Sequence, residues 1–117
     1  MNTMTIYELA ERTAEVMNEE NWCQYTTAQV KTKSSLGYER MVVVGRCAYG
    51  RAVELGGAKV ALRLWCAFSR HFGTTIAVVN DIHGLPAIKR HLLEFAATDP
   101  ARINACLDAM GVSRVTV

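Results

Sequence analysis

The chain has no apolar run near the ~18 residues that a membrane-crossing helix needs. Its longest, Leu64-Trp65-Cys66-Ala67-Phe68, is closed by Arg63 and Ser69. It has no C-x-x-C pair, and its four cysteines, at 23, 47, 66 and 106, fit no zinc spacing. No two of His71, His83 and His91 stand at the i, i+4 interval of helical metal ligands. There is no G-x-S-x-G elbow, no G-x-x-x-x-G-K phosphate loop and no G-x-G-x-x-G, and Gly37, Gly45 and Gly50 stand alone. These absences leave catalysis without a motif, and the expectation is a protein with no enzymatic activity, no cofactor and no bound metal.

What is present fits one ordinary domain. The 117 residues are half hydrophobic and 21% charged, and a domain of this size buries enough surface to fold without staples. The N-terminus carries Glu8, Glu11 and Glu15 at helical spacing, where an export signal would be basic and then apolar. A cytoplasmic protein is therefore expected, with reduced thiols. Cys47, Cys66 and Cys106 fall on the apolar sides of expected helices, as small core residues.

The net charge of +2 is too small to argue for a nucleic-acid partner. It is uneven, however. Residues 1–20 hold five glutamates against one arginine, a balance of −4, which leaves +6 for the remainder. Opposite faces of opposite sign would follow.

Periodicity predicts most of the elements. Thr5-Ile6-Tyr7-Glu8 is a capping box, and Ile6, Leu9, Ala10, Thr13, Val16 and Met17 trace one helical face that should end near Asn18 or Glu19. Residues 20–40 lack helical spacing. Aromatic and β-branched residues suggest a strand at 25–31, which a strand at 40–46 would pair with in a hairpin; the run of valines leaves 40–45 open between helix and strand. Helices are expected over 46–55 and 58–72, the latter with Ala58, Ala61, Leu62, Trp65, Phe68 and Phe72 inward. An apolar connector, Ile76–Val79, leads to a polar turn at Asn80–Gly84. A helix from about Pro86 would bury Leu85, Ile88, Leu92, Phe95 and Ala96. A last helix, capped by Asp99, would bury Ile103, Cys106, Leu107 and Met110. The tail, 112–117, alternates as a short strand would. The fold class is mainly α, about five helices around one core, or α+β if strands form at 25–31, 40–46 and 112–117.

Three short motifs keep a particular order and spacing: Trp22-Cys23-Gln24, Cys47-Ala48-Tyr49-Gly50 and Asn80-Asp81-Ile82-His83-Gly84. Over residues 4–96 this arrangement resembles a family of small actinobacterial and actinophage proteins, a domain of unknown function. Val79 stands where that family usually has tryptophan, and residues 97–117 form an added C-terminal helix and tail. The resemblance implies a cytosolic, phage-encoded protein and says nothing of ligand or reaction.

For each candidate site a structural reading stands beside a functional one. Asp81 and His83 would make an acid/base or metal pair, yet Asn80, Asp81 and Gly84 are also the residues of an ordinary turn. Trp22 and Tyr25 would stack on a ligand, but a Trp just past a helix more often covers the core, with Gln24 bonding backbone. Lys31, Lys33, Arg40, Arg46 and Arg51 form a basic rim around the irregular segment. The first reading is a small binding protein that occludes a host protein through Trp22, Gln24, Tyr25, Lys31, Arg40, Arg46, Asn80, Asp81 and His83. The alternative is a nucleotide-like small-molecule binder with Arg46 on phosphate. A DNA-binding regulator using Arg63 and Arg70 on the 58–72 helix comes third. The oligomeric state stays open, a homodimer through the C-terminal unit being the commonest option.

Overall fold

Two asparagines, rather than a run of helix-breaking residues, end the first helix. In a computed structural model, which describes residues 4–26, 28–35 and 38–111 (backbone alone over 28–35, 38–42 and at 44), α1 runs Ile6–Val16. Thr5 Oγ1 caps it by accepting from Glu8 N at 3.1 Å. Beyond Val16, Asn18 Oδ1 accepts from the amides of Glu20 and Asn21, and Asn21 Oδ1 accepts from Asn18 N. Asn21 Nδ2 donates to Val16 O at 2.7 Å. These side chains offer the backbone an alternative to another helical turn, so α1 stops short of the expected Asn18 or Glu19. Lys89 Nζ donates to Met17 O at 2.6 Å, placing a cation at the helix C-terminus.

An antiparallel hairpin follows, β1 Ala28–Ser35 and β2 Tyr38–Arg46, with Lys31 opposite Val42 and Lys33 opposite Arg40. Residues 40–45 are thus strand, and the first strand lies a few residues later than expected. The strands contact chiefly each other and touch the helices near their root, where Cys23 N donates to Arg46 O and Arg46 N donates to Asn21 O. The principal extents are 65 × 34 × 22 Å.

The rest is helical: α2 Ala48–Gly56, α3 Ala58–Phe72, a single turn α4 Ile76–Val78, α5 Leu85–Ala96 and α6 Pro100–Met110. Between α4 and α5, Val79–His83 forms a π-helical turn. The protein is mainly helical, as its periodicity predicts. No helix among the described residues is long and apolar enough to cross a membrane. The tail at 112–117 lies outside the described residues.

One core joins α1, α2, α3 and α5, with Leu9, Met17, Leu64, Phe68, Ile76, Ile88 and Leu92 fully enclosed. Three expectations about its lining are corrected. The buried row of α3 is Val60, Ala61, Leu64 and Phe68, so Ala58 and Leu62 face solvent while Trp65 and Phe72 sit half-buried at its edges. Cys66 and Cys106 are exposed, and Cys47 is the N-cap of α2, its Sγ accepting from Gly50 N at 3.3 Å; Cys23 is the buried thiol. In α6 no residue is buried: Ile103 and Leu107 are half-covered, whereas Cys106 and Met110 are open. An Arg102–Glu11 ion pair ties α6 back to the acidic face of α1.

Thr13 is fully enclosed on α1, and its Oγ1 has no hydrogen-bond partner among the described residues. An orphaned buried hydroxyl costs about 1–3 kcal/mol. Thr13→Val keeps the branch and removes the polar atom. It should leave stability unchanged or raise it by about 1 kcal/mol in urea denaturation, against the usual destabilising sign of core changes.

Candidate functional site

Asn80 is where the chain's three motifs meet. The π-helical turn widens the backbone by one residue and carries Asn80 inward, where it is 1% exposed. Its Oδ1 accepts from Trp22 Nε1 at 2.7 Å and from Ala48 N at 2.9 Å. Its Nδ2 donates to Cys23 O at 3.1 Å and to Asp81 Oδ1 at 2.8 Å. One amide thus satisfies the indole after α1, the first amide of α2 and the backbone between them. Asp81 continues the knot: its Oδ1 accepts from Tyr25 N at 2.8 Å, and its carbonyl accepts from Gln24 Nε2 at 3.0 Å.

Trp22, Gln24, Asn80 and Asp81 are therefore brought together, but largely to hold the fold. Trp22 packs on the core, and Gln24 bonds backbone. The expected polar turn at Asn80–Gly84 falls instead in the π-helical turn Val79–His83, closed by Gly84 at φ 89. His83 is exposed, whereas Asp81 Oδ1 faces Asn80 and Tyr25. His91, on α5, is half-buried. Its ring lies 4.8 Å from that of Phe72, and its Nδ1 is 2.8 Å from Ala87 O. Among the described residues no group of three His, Cys, Asp or Glu is placed to hold a metal.

Arg46 stands at the hairpin root, its Nε 2.9 Å from Glu54 Oε2, and Arg51 Nη1 meets Glu54 Oε1 at 2.6 Å. The hydrogen bond from Arg51, with both guanidinium charges, holds the Glu54 carboxyl below its ordinary value. These cations are spent on Glu54. The side chains of Lys31 and Arg40 lie outside the described residues; their backbones occupy β1 and β2.

Tyr25 is different. It has φ 63, a left-handed conformation rare for a bulky residue, and its side chain is 74% exposed. The bond from its N–H to Asp81 pins that conformation, and such strain gathers at functional segments. Its ring borders an open cleft of about 400 Å³, lined also by Thr26, Cys47, Tyr49, Leu62, Trp65, Ala77 and Asp81. Tyr49 and Trp65 meet edge to face, their centroids 5.2 Å apart. A second depression, of about 580 Å³, lies along the outer face of α3 between Ile6, Leu62, Arg63, Cys66, Ala67 and Arg70.

Sequence reasoning missed Tyr49, Leu62, Trp65, Ala77 and Cys47 as lining residues. The available signal was the i, i+4 row Val60, Leu64, Phe68, which gives α3 a competing apolar stripe and turns Leu62 outward. No family model, curated protein or solved structure matches this chain. The actinobacterial and actinophage resemblance thus rests on its three motifs alone.

Proposed function

We propose that this is a non-catalytic binding protein that seats itself on another protein and occludes it, the partner inserting a side chain into the cleft beneath Tyr25. The observation that supports this most is the pairing of that cleft with exposed apolar surface: Leu62, which lines it together with Tyr25, is 55% exposed. Large apolar residues left open beside a concave site mark binding surfaces. The hairpin adjoining the cleft would widen the contact toward the ~800 Å² per partner of a standard interface. The motif resemblance supports a phage origin, and a small phage-encoded binder without a catalytic motif would take a host protein as its target.

The nucleotide-like alternative keeps a cleft of suitable volume but loses its phosphate ligand, since Arg46 is paired with Glu54 and does not line the cleft. The outward Arg63 and Arg70 give the DNA-binding alternative a basic face on α3.

Leu62→Glu and Tyr25→Ala alter exposed side chains, so both variants should fold. Each should weaken the partner's capture from host lysate at least about tenfold, the scale of losing a well-packed anchor. Lys31→Glu with Arg40→Glu extends the test to the hairpin. Undiminished recovery of the same stoichiometric protein by both cleft variants would place the interface elsewhere.

A further inference from the structure

We infer that the cleft is a receptor for an alkylammonium cation, a lysine side chain presented by the partner protein; this rests on the docking function proposed above. Three aromatic side chains, from Tyr25, Tyr49 and Trp65, line the same 400 Å³ space. Tyr49 and Trp65 cross at 80°, which makes two walls of a corner instead of a flat stack. Tyr25 comes from a different part of the chain and is anchored by its amide to Asp81. A ring face is electronegative, and a cation close to several faces gains from each, about 0.5–1 kcal/mol when exposed and more when water is excluded.

The charge balance of the cleft points the same way. Among the described residues, Asp81 is the one acidic group lining it, and no lysine or arginine does. Among the described residues, no cation pairs with Asp81. A phosphate or carboxylate entering here would meet a carboxylate and three aromatic side chains. An ammonium would meet the same groups favourably, with Leu62 and Ala77 against its methylene stem. Lysine fits better than arginine. Asp81 Oδ1 already accepts two hydrogen bonds, from Asn80 and Tyr25, so a guanidinium could not take both oxygens in its preferred fork. A single-point donor needs only the other oxygen.

The test is a titration with Nα-acetyl-lysine methylamide, its Nε-trimethyl form and the neutral norleucine counterpart, followed by the Trp65 indole N–H resonance. Both cations should shift that resonance and bind at least several-fold more tightly than norleucine. Asp81→Asn keeps an acceptor oxygen for Asn80 and Tyr25 while removing the charge; it should weaken lysine binding about tenfold with the melting temperature little changed. Equal binding of norleucine, insensitivity to Asp81→Asn, or no shift up to the solubility limit would overturn the cation site. The two readings separate cleanly. If lysine fails but Leu62→Glu still abolishes partner capture, the cleft takes an uncharged anchor and only this inference falls. If lysine moves Trp65 while Leu62→Glu leaves capture intact, the docking function falls and the cation site stands.

Discussion

Asn80→Ala should destabilise the protein by about 3–5 kcal/mol, among the largest effects open to a single polar substitution. All four hydrogen-bonding positions of this amide are occupied, two by acceptance and two by donation. Alanine would strand the Trp22 indole N–H, the Ala48 amide and the Cys23 carbonyl; the latter two belong to buried residues. Each orphaned buried group costs about 1–3 kcal/mol. Asn80→Asp is the informative companion. It preserves shape and acceptor capacity, but it replaces the donor facing Asp81 Oδ1, now 2.8 Å away, with a second carboxylate. Aspartate should therefore fail to rescue the loss at neutral pH. Urea denaturation followed by tryptophan fluorescence reads both variants. A loss below about 1 kcal/mol for alanine would mean that water replaces the amide, and that the knot is not what joins the motifs.

Phe68→Ala is expected to cost a similar amount, about 3–5 kcal/mol, by a different route. Phe68 is fully enclosed, the largest such side chain in the core. Its ring lies 4.6 Å from that of Phe72 and 6.1 Å from His91 on α5, so it fills the seam between α3 and α5. Truncation removes that apolar area and leaves a void walled by rigid helices, which relax only in part. Against a total stability of about 5–15 kcal/mol, this variant should lose most of its folded population well below the wild-type melting temperature. Leu62→Ala, on the same helix, should change stability by less than about 0.5 kcal/mol. Calorimetry of the pair therefore tests the phase of α3. Equal losses would place the buried row where periodicity alone first suggests it.

That phase illustrates how much could be read from the sequence. Of the elements with one unambiguous stripe, α5 buries all five of its expected residues. Along α1, Leu9, Ala10, Thr13 and the capping Met17 are buried, whereas Ile6 is half-covered and Val16, expected inward, is exposed. The hairpin was legible only in part: β-branched residues suggested two strands, but the run of valines left 40–45 open between helix and strand, and β1 begins at Ala28, later than expected. In α3 two stripes compete, Ala61-Trp65-Phe68-Phe72 and Val60-Leu64-Phe68, and only packing, chiefly against α1 and α2, decides between them. In α6 a good stripe exists with little to pack on, so spacing promised burial that no neighbour supplies. The site was half legible. Local chemistry marked Trp22, Gln24, Tyr25, Asn80 and Asp81, but a hydrogen bond across 58 residues has no signature in either segment alone. The aromatic cleft escaped notice because Tyr49 and Trp65 lie on two helices whose junction follows from the fold.

The hairpin's departure from the helical body has a practical consequence for anyone weighing the molecule. Its longest dimension is nearly three times its shortest, and the radius of gyration is 17.0 Å, against about 13–14 Å for a rounded chain of this length. An elongated particle drags more solvent than a sphere of equal mass, so gel filtration would overstate 12.9 kDa and let a lone copy pass for a pair. Whether two copies associate is thus a matter for light scattering or sedimentation, which weigh the particle independently of its outline.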